Sequence, residues 1–153
     1  MTDGPTALPP RWIIRAAWLG HRILYRLSGG RSVLQRPERG GAFGMLRLTA
    51  TGRSSGRPRS VILGYIDHGT GYATLAMNGW GPAAPAWWRN LEANPDAVVD
   101  TVDGRYPVRA RAAIGDERDL LWTEIPNYRG YGDIETFSSR RPVETVVVVL
   151  ERP

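Results

Sequence analysis

The chain has 153 residues and not one cysteine. Disulfides, thiolate-bound metals, iron–sulfur clusters and cysteine nucleophiles are thereby excluded, and the composition suits a reducing compartment. Lysine is missing as well, since all 20 basic residues are arginine. That removes a phosphate-binding P-loop lysine, a Schiff-base lysine and a Ser–Lys dyad. Histidine is scarce: His21 and His68 alone cannot supply a multi-histidine zinc site. No apolar run approaches the ~18 residues of a spanning helix. Arg15 interrupts the apolar stretch near the N-terminus and no small-residue cleavage site follows it, so a cytoplasmic protein without a signal peptide is expected. GxSxG, HExxH and paired-carboxylate constellations are all lacking, which leaves hydrolase chemistry without its usual residues.

Apolar residues make up 42% and charged residues 23%, a balance suited to one globular domain. Twenty arginines against 15 acids give a net charge of +5. Such an excess favours anionic partners: nucleic acid, lipid headgroups or phosphorylated cofactors. A competing account is mutational pressure, since GC-rich codons encode Arg, Ala, Gly and Pro alike.

Residues 1–10 form a Pro/Gly-rich lead, and residues 11–27 carry a helical pattern. At about 100° per residue, Arg11, Arg15, Arg22 and Arg26 share one narrow stripe beside Trp12, Ala16, Leu19, Ile23 and Leu27. Such a helix either lies on the domain with its arginines solvated or rests peripherally on an anionic membrane surface. Residues 1–41 are thus expected to form an arm with an amphipathic helix, and 42–153 the main domain. Strands are expected near 45–51, 60–66, 72–77, 97–102, 105–114 and 143–151, with short helices at 86–93 and 115–124. Turn signals and hairpins dominate, as at Asp103-Gly104. The run of branched residues in 143–151 reads as a strand buried on both faces. These features predict a mainly β fold: a six- to seven-stranded antiparallel barrel, closed or nearly so, with two short helices.

Three segments carry the chemical signals. The turn TGRSSGRPR (51–59) collects Arg53, Arg57 and Arg59 with Ser54, Ser55 and two glycines, donors that suit a phosphate or polycarboxylate. A solvated charged turn has the same composition. The segment 76–90 brings Trp80, Trp87 and Trp88 together with Asn78 and Asn90, suiting either barrel packing or a planar ring system. Within it, Gly79-x-Gly81-x-x-Ala84 imitates a dinucleotide fingerprint that ends at Asp100. Pro82 and Pro85 crowd the first helical turn, and the helix at 86–93 is too short for a parallel crossover. Finally, Tyr128, Tyr131 and Phe137 beside Arg129 form an aromatic loop. Its tyrosines are expected to be exposed near a pocket, as proton donors or ring covers, or else to anchor the loop.

Taken together, LTATGRSSGRPRSVILGY (48–65), AMNGWGPAAPAWWRNLEANPDA (76–97) and RPVETVVVVLE (141–151) resemble the deazaflavin-dependent nitroreductase family, actinobacterial-type split β-barrel oxidoreductases that use coenzyme F-420. The resemblance covers residues 42–151. It implies a split β-barrel that binds reduced 8-hydroxy-5-deazaflavin and transfers a hydride to a quinone, nitroaromatic or activated alkene. By position it assigns Arg53, Ser54, Ser55, Gly56 and Arg59 to the cofactor's phosphate and acidic tail. Ala76, Met77, Asn78, Trp87 and Asn90 fall to the deazaflavin ring, and Tyr128 and Tyr131 to the aromatic loop that closes over substrate and to proton donation. No metal site is implied, and the assembly would be a monomer or homodimer. Ser54 and Asn78 depart from the pattern where some members carry lysine, and the spacing from Tyr131 to the last strand differs. The basic helix in 11–27 resembles the membrane-associating arm of some members. Three other readings fit the residues: an FMN-binding split-barrel reductase, a non-enzymatic basic barrel that binds single-stranded nucleic acid, and a carrier that binds deazaflavin but reduces nothing. Against the second, the aromatics cluster beside Gly/Pro turns instead of alternating along strand faces.

Overall fold

Alternating apolar residues decide the architecture. The computed structural model describes residues 11–16, 19 and 33–153. Six strands, β1 (Gly44–Thr51), β2 (Pro58–His68), β3 (Gly71–Leu75), β4 (Asp96–Thr101), β5 (Gly104–Ala112) and β6 (Val147–Glu151), close a barrel in the order β1-β2-β3-β6-β5-β4. Every pairing is antiparallel; Leu48, for example, lies between Val61 of β2 and Val99 of β4. The dinucleotide-fingerprint pattern is thereby overturned: β3 and β4 flank its loop but are not neighbours, and no parallel pair exists among the described strands.

Side chains on a strand point alternately to its two faces. Leu46, Leu48, Leu63, Tyr65, Val99, Val108, Val148 and Leu150 fill the barrel interior. The intervening Ile66, Ala73, Leu75, Val147 and Val149 pack outward against a second layer that includes Leu121, Ile125 and Ile134. That layer is made by α2 (Gly115–Glu124) and α3 (Ile134–Ser139). β6 is therefore buried on both faces, as its run of valines implies, with Val147 to Leu150 at most 2% exposed. Fully burying each such side chain is worth ~1.5–3 kcal/mol. A third helix, α1 (Ala86–Ala93), lays Trp88 and Leu91 into the interior cluster.

Three expectations need correction. β3 ends at Leu75, not residue 77, because the backbone at Asn78, Gly79 and Trp80 turns left-handed. β6 begins at Val147, not residue 143, because the backbone bends at Pro142 and Val143 and ladder pairing with β3 starts only at Val147. The aromatic segment holds α3, capped by Asp133, whose carboxylate accepts from the Thr136 amide at 3.1 Å and its hydroxyl at 2.7 Å.

The chain divides between Val33 and Leu34 into two units. In the second, Gln35 already pairs with Met45 at the start of β1. In the first, residues 11–16 and 19 are helical, with Trp12 and Leu19 exposed; the other residues of the amphipathic pattern over 11–27 lie outside the described ones. No helix among the described residues is long and apolar enough to cross a membrane.

Candidate cofactor site

One mouth of the barrel gathers the β1–β2 turn, the loop 76–85 between β3 and α1, α1 itself and the segment leading into β6. The β1–β2 turn is tight. Gly52 N–H donates to Arg57 O and Gly56 N–H to Gly52 O, both at 2.8 Å. A Cβ on Gly52 would stand 2.8 Å from Ser55 Oγ, and Gly56 has φ +68°, so both glycines serve the turn itself. This backbone leaves Arg53, Ser54, Ser55, Arg57 and Arg59 exposed.

The turn does not stand alone. The Arg53 amide and its Nη1 both donate to Asn90 Oδ1, at 3.1 and 3.0 Å, and Nη1 also reaches Ala86 O at 3.4 Å. Asn90 is 6% exposed and sits on α1. The arginine turn and the tryptophan-bearing segment thus meet in space. Trp87, half-buried, stands edge-on to buried Trp88 with centroids 6.5 Å apart. The guanidinium groups of Arg57, Arg59 and neighbouring Arg89 have no carboxylate or hydrogen-bond partner among the described residues. Their donors are available to an anion.

The loop after β3 presents a different surface. Ala76 is buried in the interior cluster, so its side chain cannot line a cleft, and its N–H donates to Val146 O at 2.9 Å. Met77, Asn78 and Trp80 are half-buried. Asn78 (φ +49°), Gly79 (φ +58°) and Trp80 (φ +62°) are consecutive left-handed residues, a conformation L side chains rarely adopt and one that concentrates at functional sites. Asn78 Nδ2 donates to Ala83 O at 3.0 Å, and Trp80 packs on Phe137 of α3.

Sequence reasoning gave Arg141 no role. Buried at 8% exposure, it donates from Nε to Gly81 O (2.8 Å), from Nη1 to Ala76 O (3.2 Å) and Thr145 Oγ1 (2.7 Å), and from Nη2 to Ala83 O (3.0 Å). Burial lowers its pKa from the ordinary guanidinium value. No local pattern signals these contacts, because the loop acceptors lie 58–65 residues away in sequence.

The aromatic pair departs from expectation. Tyr131 is enclosed at 2% exposure, its ring 4.9 Å from Phe43, and its hydroxyl lies within hydrogen-bond geometry of no partner among the described residues. Burial raises its pKa. Tyr128 is half-buried, its pKa also raised, first by burial and then by the carboxylates of Asp67 and Glu124. Both pack in the outer layer with Met77 and Trp80, and no hydrogen bond joins either to the arginine turn or α1.

An open cavity of about 650 Å³ lies at the opposite mouth, lined by Arg36, Asp67, Tyr72, Asp103, Tyr106 and Arg152 among others. Its cations are committed: Arg36 pairs with Asp103, and Arg152 lies 3.8 Å over the Tyr106 ring. The arginine turn, with its unpaired donors, is the better anion site.

The donor set suits a phosphorylated, acidic-tailed, flat cofactor: free guanidiniums and hydroxyls beside a loop of half-buried aromatic and amide groups. A family model described as F420H(2)-dependent quinone reductase matches residues 21–151. An F420H(2)-dependent quinone reductase of Mycobacterium tuberculosis is 33% identical over 134 residues, covering 86% of this chain and 87% of that one. Among solved structures, an F420-H2 dependent reductase (FDR-A) superposes with TM-score 0.63 at 29% identity, over 78% of this chain and 97% of that one. A chain described as a domain-swapped dimer superposes with TM-score 0.65 at 28% identity, over 94% and 100%. The chain belongs to the F420H(2)-dependent quinone reductase family, oxidoreductases whose cofactor is reduced coenzyme F-420 and whose split-barrel fold it shares.

Proposed function

We propose that the protein transfers a hydride from reduced coenzyme F-420 to a quinone, with nitroaromatics and activated alkenes as further acceptors. The observation that carries this reading is the Asn90 tie, which joins the unpaired arginines to the tryptophan-bearing segment. In this reading Arg53, Ser54, Ser55, Gly56 and Arg59 hold the phosphate and carboxylate tail. Met77, Asn78, Trp87 and the Ala76 backbone line the ring, with Asn90 acting through Arg53. Bound there, the cofactor would supply two electrons and one hydrogen as hydride, and the hydroquinone anion so formed needs one further proton. Tyr128, half-exposed, or a water beside it, donates that proton. Enclosed Tyr131 acts as wall and support for that loop.

Titration of the purified protein with reduced and oxidised deazaflavin and with FMN tests the cofactor. Micromolar or tighter deazaflavin binding is expected; preference for FMN without deazaflavin binding would overturn the reading. Oxidation of the bound cofactor under a panel of quinones, nitroaromatics and enones then ranks the acceptors. We place the reaction in the cytoplasm, with the helical residues 11–16 and 19 as a peripheral membrane contact supported by exposed Trp12 and Leu19. Co-sedimentation with anionic vesicles, lost on removal of residues 1–32, checks that contact. Of monomer and homodimer, the similar domain-swapped chain favours the dimer, which light scattering decides.

A further inference from the structure

Arg141 stands out because its charge does no work that an ordinary buried arginine does. It has no carboxylate partner among the described residues and no contact with the exposed arginine turn. Four of its five N–H donors are used, and three of its four acceptors are carbonyls of one loop, at Ala76, Gly81 and Ala83. Those carbonyls bracket the left-handed residues Asn78, Gly79 and Trp80. Within the bracket the loop's own backbone bonds are few: Trp80 N–H to Met77 O at 2.7 Å and Gly81 N–H to Asn78 O at 3.0 Å. A turn of this conformation persists only where its surroundings over-determine it. Asn78 Nδ2 to Ala83 O and the Trp80–Phe137 contact supply part of that determination, and the guanidinium, which alone reaches all three carbonyls, supplies the rest; a lysine, with one nitrogen, cannot span them.

We propose that Arg141 is the positioning residue of the cofactor loop: by clamping the carbonyls of Ala76, Gly81 and Ala83, it holds residues 77–80 in the shape that receives the flat ring, and so sets cofactor affinity without touching the cofactor. The proposal rests on the assignment of Met77 and Asn78 to the ring.

The test uses the full chain with Arg141→Lys, Arg141→Ala and the milder Thr145→Val, which removes one of the four acceptors. Hydrogen exchange at the Trp80 and Gly81 amides reports the loop, and titration with reduced coenzyme F-420 reports affinity. In Arg141→Lys, protection at those two amides should fall at least tenfold while amides of β1 and β6 keep theirs, and the cofactor Kd should rise at least tenfold. Thr145→Val should shift both in the same direction by a smaller factor. Guanidinium ion at non-denaturing concentration should restore part of both in Arg141→Ala and nothing in Thr145→Val. If the arginine variants fail to fold, Thr145→Val decides: unchanged protection and unchanged Kd there overturn the proposal. If the wild type binds no deazaflavin while the variants still lose loop protection, the cofactor reading fails and the clamp stands. If the wild type binds and the Arg141 variants bind equally well, the positioning role falls alone.

Discussion

The same residue type does two jobs on this barrel. Along the sheet and its helical layer, arginines are matched with acids: Arg36 with Asp103, Arg39 with Glu124, Arg105 with Asp100, Arg109 with Asp96, Arg111 with Glu117 and Glu151, and Arg118 with Glu144. At the mouth built by the β1–β2 turn and α1, Arg53 is held by a neutral amide, and the guanidiniums of Arg57, Arg59 and Arg89 have no such partner among the described residues. Exposed ion pairs contribute only ~0–1 kcal/mol each. The matched arginines therefore mainly neutralise the surface. The unmatched ones keep donors and positive potential for an incoming anion. The excess charge of +5 is thus not a uniform property of the chain, and composition alone could not locate it.

The sharpest way to break this contrast is a pair of double variants. Arg53→Ala with Arg59→Ala should weaken deazaflavin binding by roughly 1.5–3 kcal/mol for each charged hydrogen bond lost, so about tenfold to a hundredfold per residue. Arg105→Ala with Arg109→Ala removes the same charge from the matched region and should change the Kd by no more than about twofold. Equal effects in the two calorimetric titrations would show that only net charge matters and would dissolve the distinction.

A subtler variant converts one class into the other. Asn90→Asp gives Arg53 the carboxylate that the matched arginines already have, at a position now occupied by an amide oxygen 3.0 Å from Nη1. Cofactor affinity should fall about tenfold, the loss of roughly one charge-assisted bond, while the melting temperature holds or rises. Affinity that survives this change would mean that Arg53 serves the helix and not the ligand. Ionic strength probes the same point with the wild type. Free guanidiniums facing solvent lose reach as the Debye length shrinks from ~10 Å at 0.1 M to ~3 Å at 1 M. The Kd should rise with salt, and the slope should flatten in the Arg53/Arg59 double variant.

Local patterns carried much of this architecture. The helices at 86–93 and 115–124 have the expected bounds, since Pro85, Asn94-Pro95 and Gly115 punctuate them. The six strands follow from turn residues and alternation. What escaped was set by distant contacts. The helix Ile134–Ser139 is barely a turn and a half, and its cap, Asp133, hides among glycines and tyrosines; Ile134 and Phe137, one turn apart and both buried, were the available sign. Tyr131 looked like an exposed loop aromatic, but its place is decided by Phe43, nearly ninety residues earlier. The Arg53–Asn90 tie joins residues 37 apart, a contact that the arginine turn and the tryptophan segment each suggested only through their resemblance to one family.

The smallest expected effect comes from the matched side. Glu117 sits under Arg111, 2.8 Å from Nη1, with His68 Nε2 at 3.7 Å, and its carboxyl is held below the ordinary value, chiefly by the Arg111 hydrogen bond. A depressed carboxylate pKa stabilises the fold above the unfolded-state value, near 4.5, and that contribution is lost as pH falls through the folded-state value. Because the cluster is largely solvent-accessible, the amount should be no more than ~1 kcal/mol. Glu117→Gln should accordingly melt a few degrees below the wild type at about pH 7, and the gap should close as pH falls below the unfolded-state value and through the lowered folded-state one. Deazaflavin affinity should be unchanged in this variant, since the residue lies on the outer helical layer and its cation is already spoken for. A Kd that moved with Glu117 would mean that the matched and unmatched arginines share one electrostatic field, and the division between them would have to be redrawn.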